Sequence, residues 1–440
     1  MSRYNIGSVI CVGLVASIVG LLPAYGAPTS SATTDKPVSS AGTDNLENLP
    51  IGDPARREFQ APLVLDGVTN TSTRKVIGPS EMASQLKDVG ILFLGENHTN
   101  EEFHDVQLQT IQALHEAGRD VLIGLEMLPY TEQKVLDNWT AGQYTETEFL
   151  KAADWYQNWG HHFNYYREIF RYARDNKLPM YGVNTPRDVV KRIRADGFDA
   201  LRPGERAHFP PKFAAESDEH RRMYRANFSA DDTLHMNAAA LDGLYRAQTT
   251  WDATMGWNAL EALRARGNDK KSIMVVLLGS GHVIYGLGAE RQIDPWYDGK
   301  IASLVPVPVI DETGKAVPSV RASYASYIWG LPQQREPHYP VLGVSLMGKM
   351  GKEPRQIIEV SKDSVAERAG IQVGDVLERF GDTPIKTETE FRRLVAGLRW
   401  GDVVPVTVRR KDASLTLSVP VRRVRPAACS AADPGATNPG

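Results

Sequence analysis

The stretch Ile91-Leu92-Phe93-Leu94-Gly95-Glu96-Asn97-His98 decides how the chain folds. Four apolar residues in a row make a short buried strand, and the glycine breaks it. A carboxylate and an imidazole follow, one residue apart, where a strand of an α/β sheet ends. Ligands of open α/β sheets bind just beyond the carboxyl ends of the strands. Three further runs end the same way. Val121-Leu122-Ile123-Gly124-Leu125 ends on Glu126, the weaker Pro179-Met180-Tyr181-Gly182-Val183 ends on Asn184, and Ser272 to Leu278 ends in Gly279-Ser280-Gly281-His282. Helical spacing lies between them: Phe103, Val106, Leu108, Ile111 and Leu114 follow a candidate cap at Asn100. Ser80 is a candidate cap for an earlier helix, and aromatic-rich helical segments run from Glu132 through Ala173. A long helical region extends from Arg187 to Arg266, broken near Pro203, Pro210 and Pro211. Strands alternating with helices predict an α/β fold with a largely parallel sheet and helical insertions.

The chain has 440 residues, enough for two or three domains. Its 42% hydrophobic and 23% charged content is ordinary for a globular protein, and a formal charge of -3 gives no reason to expect nucleic acid as a partner. Arg3, the apolar run Ile6 to Leu22, and small residues at Ala24 and Gly26 make a secretory signal peptide over 1–26, the rival being an uncleaved anchor. The expected location is therefore extracytoplasmic, periplasmic or outer-membrane-associated. Cys11 lies in the leader without a lipoprotein cleavage box. Cys429 alone excludes an internal disulfide framework. Residues 27–60 read as a disordered linker, with a hairpin expected between Arg56 and Ile77. Residues 61–335 read as the α/β domain, 336–425 as a small β-rich domain and 426–440 as a frayed tail.

Glu96 and His98 can share one side of an extended turn, and carboxylate with imidazole begins a divalent-metal site. A strand-end histidine is also a common hydrogen-bonded structural residue. His104 and Gln107 share a helix face at i, i+3, either toward the site or toward solvent. Glu126 closes an apolar strand, so it needs a partner: an arginine, a helix N-terminus or a metal. The glycines of Gly279-Ser280-Gly281-His282 let backbone N–H groups line a turn, but the lysine of a nucleotide loop is missing. Gln248 and Asp252, at i, i+4, are near enough to reach the same rim.

Taken together, Gly95-Glu96-Asn97-His98, His104 with Gln107, Gly124-Leu125-Glu126-Met127, Ala247-Gln248, Trp251-Asp252-Ala253-Thr254-Met255 and Gly279 through Gly286 resemble the ChaN-like haem-binding uptake family of the Tiki/TraB/erythromycin-esterase-like superfamily. The resemblance covers roughly Leu63 to Val305. It implies an α/β core with helical insertions and a role in haem or iron uptake, with haem or a divalent metal ion as cofactor. For a haem, Trp155 through Tyr166 offers Tyr156, His161, His162 and Tyr165, since histidine and tyrosine both serve as axial ligands. Helix packing is the other use of such an aromatic stretch. His104, Gln248 and Asp252 complete the cofactor candidates. Other superfamily members look like metal-dependent hydrolases or peptidases. On that pattern Glu96, His98 and His282 hold the ion, while Glu96 and Glu126 are the catalytic carboxylates. Whether the protein is an enzyme stays open, as does a scaffold with a degenerate site.

Val341-Leu342-Gly343-Val344-Ser345-Leu346, followed by Asp363 through Leu377, strongly resembles a bacterial PDZ domain, a small β-sandwich-like fold. Leu342, Gly343 and Val344 would offer backbone N–H groups to a peptide's terminal carboxylate, with Phe391 lining the groove's other wall. The expected partners are haem or another small molecule or peptide, plus a protein C-terminus. The alternative is a PDZ fold that only packs on its neighbour. A homodimer is admitted, though no residue pattern argues for it.

Overall fold

In the computed structural model, the described residues are 45–226, 238–267, 269–311, 313–333, 338–347 and 355–423. The leader, both cysteines and the C-terminal tail lie outside them. The chain divides into two compact units at His338/Tyr339. Among the described residues no helix is long and apolar enough to cross a membrane.

The strands of the first unit are β1 (Gln60–Pro62), β2 (Val68–Asn70), β3 (Lys75–Ile77), β4 (Val89–Glu96), β5 (Asp120–Pro129), β6 (Met180–Asn184), β7 (Ser272–Gly279), β8 (Lys300–Pro308), β9 (Ser319–Arg321) and β10 (Tyr327–Leu331). An eight-stranded sheet runs in the order β3-β2-β10-β8-β4-β7-β5-β6. From β10 to β6 every pairing is parallel, and the β2–β3 hairpin joins antiparallel at one edge. Parallel strands are buried on both faces, so β4, β5 and β7 are continuous apolar runs. β7 inserts between β4 and β5, with Glu96 paired to Gly279 and Leu125 to Leu277. That order lays the ends of the three runs side by side.

Asn100 caps the helix Glu101–Glu116 by accepting the Glu102 N–H at 3.0 Å. The earlier helix starts differently: it spans Pro79–Gln85, with Gly78 in place of Ser80 at the cap. Proline is at home at that first position, where its missing N–H has no helical partner to lose. The region Arg187–Arg266 is broken into several helices, as its prolines predict, among them Arg187–Asp196, Pro203–Arg206, Asp218–Ala226 and the long Ala238–Ala265. The part of the expected linker that is described, 45–60, is packed on the domain. Leu49 and Ile51 are buried, the Leu49 N–H donates to Tyr285 Oη at 2.9 Å, and the Ile51 carbonyl accepts from Ser323 at 2.7 Å. Each such buried side chain is worth about 1.5–3 kcal/mol, enough to hold a short polar segment down.

The insertion between β5 and β6 forms an aromatic cluster. Trp155 meets Phe163 at 5.0 Å, Phe149 meets Phe170 at 5.3 Å, and Trp139 meets Phe149 at 4.9 Å. Much of the aromatic stretch is therefore packing, and only part of it faces the site.

The second unit holds β11 (Val344–Met347), β12 (Arg355–Val360), β13 (Val376–Phe380), β14 (Thr383–Pro384), β15 (Val403–Arg410) and β16 (Ala413–Pro420), with helices Val365–Arg368 and Glu388–Ala396. The main path of its sheet is β11-β12-β13-β15-β16, so β11 is an edge strand. Phe391, Phe380, Ile357, Leu377, Val406 and Val408 make its core. Asp375, buried, takes two hydrogen bonds of 2.8 Å from Arg410 and one of 2.9 Å from the Gln372 N–H.

Candidate functional site

At the ends of β4, β5 and β7 five ionisable side chains are buried together: Glu96, His98, Glu126, Asp252 and His282. Burying charge is costly unless it is paired and hydrogen-bonded, and the pairing is nearly complete. Glu96 Oε1 lies 2.7 Å from His98 Nδ1 and accepts the Tyr166 hydroxyl at 2.6 Å. Its Oε2 accepts Gln107 Nε2 at 2.6 Å. His104 stands behind, with ring nitrogens 3.0 Å from Gln107 Oε1 and 3.3 Å from the His98 carbonyl. Burial pushes the Glu96 carboxyl up, but His104, the His98 hydrogen bond and Tyr166 outweigh it and hold it at about 2. Tyr166, buried against that carboxylate, is pushed well above the usual phenol range.

A second pair mirrors the first. His282 Nδ1 lies 2.6 Å from Asp252 Oδ1, with the Gln248 amide 2.9 Å from the same nitrogen. Asp252 Oδ2 is 3.3 Å from His220 Nε2, and the Tyr245 hydroxyl lies 2.8 Å from His220 Nδ1. Burial pushes the Asp252 carboxyl up, yet hydrogen bonds from His220 and His282 hold it below its ordinary value. In both pairs Nδ1 faces a carboxylate, the arrangement that leaves Nε2 for other work. Burial lowers both imidazoles. Glu96 and Glu126 more than reverse this at His98, and Asp252 and Glu126 do so at His282.

Glu126 sits between the pairs. Its Oε2 accepts the Gly279 N–H at 2.6 Å, and its Oε1 is 3.5 Å from His282 Nε2. A Cβ at Gly279 would lie 3.1 Å from His98 Cε1 and 3.7 Å from Glu126 Oε2. Only glycine leaves that space open. Trp159 meets the His98 ring edge-on at 4.8 Å, Trp251 meets His282 edge-on at 6.3 Å, and His161 lies 4.9 Å from His98. The result is a central carboxylate facing two carboxylate-paired imidazoles, which can hold and move protons.

The structure thus brings together Glu96, His98, His104, Glu126, Gln248, Asp252 and His282. Among the described residues no group of three or more His, Cys, Asp or Glu is placed to hold an ion. Three donors face the Glu96 oxygens, and both Nδ1 atoms face carboxylates. His104, Gln248 and Asp252 are buried against the imidazole–carboxylate pairs. Tyr165 is also buried, 5.7 Å from the His104 ring. Tyr156, His161 and His162 are half-buried, and His162 Nδ1 accepts the Asn164 N–H at 3.0 Å. Sequence reasoning missed Tyr166 and His220. Tyr166 stood in the aromatic stretch, whereas His220 carries no local signal.

In the second unit, Gly343 has φ +80, and a Cβ there would fall 2.3 Å from Ser364 Cβ. The Leu342 carbonyl accepts Ala366 N–H and the Gly343 carbonyl accepts Ser361 N–H, each at 2.9 Å. Val344 opens the edge strand β11. Phe391 is buried edge-on against Phe380 at 5.8 Å, so it is first a core residue.

Residues 82–293 match the family described as haem-binding uptake, Tiki superfamily, ChaN, and residues 340–421 match the PDZ domain. The chain is 42% identical over 64 residues to the serine endoprotease DegS of Escherichia coli (strain K12), 14% of this chain and 18% of the relative. It is 24% identical over 219 residues to the chloroplastic protein RETICULATA-RELATED 5 of Arabidopsis thaliana, 46% of this chain and 28% of the relative. Both matches span well under half of those proteins. Among solved structures, one described as cofacial heme binding to ChaN of Campylobacter jejuni aligns with TM-score 0.48 and 20% identity, covering 61% of this chain and 98% of that one.

Proposed function

We propose, from the premise that the chain joins a ChaN-like domain to a PDZ domain, that it is an exported haem-binding protein that captures a protein C-terminus. The family match over 82–293 carries the haem reading. The donor set at the mouth of the site suits it. His161, His162 and Tyr156 are half-buried imidazole and phenol groups on the aromatic insertion, and the His161 ring lies 4.9 Å from His98 and 5.1 Å from Trp159. Haem iron accepts either donor as an axial ligand. His161, His162 and Tyr156 would hold it, while Trp159 supplies apolar contact. Titration of the mature protein with haem, followed in the visible spectrum, should give saturable binding with a shifted Soret band. Binding should weaken in His161→Ala, His162→Ala or Tyr156→Phe. Absence of saturable binding, or equal binding in all three variants, overturns the reading.

The leader Ile6–Leu22 supports export, to be checked by fractionating cells that express the full chain. The positive φ of Gly343 and the edge position of β11 support capture of a C-terminus by strand addition. One observation favours a second reading, hydrolysis: Glu126 faces two carboxylate-paired imidazoles. In that case Glu126→Gln abolishes turnover of a susceptible ester without changing haem affinity.

A further inference from the structure

Away from the buried pairs, Phe198, the segment 213–216, one face of helix Ala238–Ala265 and Arg291 line a cleft of about 70 Å³. Its walls are chemically uneven. Phe198 and Phe213 stack at 4.0 Å and 28°, forming an aromatic wall, and Arg206 lies 5.2 Å over the Phe213 ring. Across from them stand Tyr245, Arg246, Thr249 and Arg291.

Neither Arg246 nor Arg291 forms an ion pair among the described residues. Arg291 donates to three neutral acceptors: the Leu287 carbonyl at 2.9 Å, the Ala215 carbonyl at 2.5 Å and His220 Nδ1 at 3.1 Å. Arg246 donates one hydrogen bond, to the Arg194 carbonyl at 2.9 Å, and its Nε is buried with no partner among the described residues. The carboxylate lining the cleft, Glu216, is exposed and bonded to Arg221 at 3.0 Å. Two part-buried guanidiniums around one space, with no ion-pair partner among the described residues, call for an anion. A guanidinium fork matches a planar carboxylate, and an aromatic wall matches a ring.

We propose that this cleft binds a small aryl or apolar carboxylate, its oxyanion between Arg246 and Arg291 and its apolar part against Phe198 and Phe213. The cleft touches the buried pairs through Arg291 and Tyr245, both of which contact His220 Nδ1.

The test is calorimetric titration of the full-length mature protein with benzoate and with inorganic phosphate. Benzoate should bind saturably with Kd near or below about 1 mM. Arg246→Met should weaken it at least about tenfold. Phe213→Ala should weaken benzoate and leave phosphate unchanged. If Arg246→Met does not fold, Arg246→Lys decides, because it keeps the charge and loses the fork; benzoate binding equal to wild type then counts against the proposal. No saturable heat with either anion overturns it, as does undiminished benzoate binding in folded Arg246→Met. Phosphate binding as tight as benzoate, unaffected by Phe213→Ala, overturns the aromatic part and leaves a plain oxyanion site.

Discussion

The two units put their candidate sites on opposite kinds of atoms. The ChaN-like domain gathers side chains: three carboxylates and two imidazoles sealed at the ends of β4, β5 and β7. The PDZ domain offers main chain: an edge strand and a turn held at positive φ by Gly343. A site made of buried charges depends on every member being paired, because a lone buried charge is so costly. A site made of backbone tolerates side-chain change but not a change in the dihedral it requires. The lesson is where each region is fragile.

The sharpest break should come at Asp252, which serves His282 at 2.6 Å and His220 at 3.3 Å. Asp252→Ala leaves two buried imidazoles without their carboxylate and should lower the stability of the first unit by about 3–5 kcal/mol. Urea unfolding of the full chain checks it; a loss under about 1 kcal/mol would mean that the pairs are not mutually dependent.

Gly343→Glu should abolish capture of C-terminal peptides and cost about 1–3 kcal/mol of local strain, since the position has φ +80 and no room beside Ser364. Peptide titration with amide exchange across the PDZ domain separates the two effects. Full capture would mean that the turn is not the carboxylate cradle.

The PDZ domain has one buried charge pair of its own, which sharpens the comparison by pH. Burial pushes the Asp375 carboxyl up, but Arg410 and the Gln372 N–H hold it below its ordinary value. With the folded value below the unfolded one, the stabilisation is complete above about pH 4. It is lost as pH falls through the folded value. Amide exchange at Leu377 and Val408, partners across β13 and β15, should speed up as pH falls through that window, relative to the intrinsic rate. The acceleration should vanish in Asp375→Asn.

The smallest effect should be Thr387→Ala. Thr387 and Glu390 form a capping box at the start of Glu388–Ala396. Its loss should cost about 1 kcal/mol, read as a lower unfolding midpoint of the second unit, with peptide affinity nearly unchanged.

What could be read along the chain was whatever is local or periodic. The runs ending on Glu96, Glu126 and His282 were legible because strands buried on both faces are unbroken apolar runs. Asn100 was legible as a cap, and the Gly343 turn by its resemblance to known domains. β8 and β10 were not foreseen: β8 carries Pro306 and Pro308, which read as breakers. Nor was the docking of 45–60, whose buried Leu49 and Ile51 sit among turn residues.

Composition and order along the chain determined that Glu96, His98, Glu126 and His282 stand at strand ends. Only the tertiary structure decided what they do there. Inserting β7 between β4 and β5 sets Glu126 between two imidazoles, and long-range partners meet the rest: the Tyr166 hydroxyl donates to Glu96, and His220 stands 3.3 Å from Asp252. Hydrogen-bond partners separated by tens of residues leave no periodic trace, so a carboxylate's role is settled by what the fold packs against it.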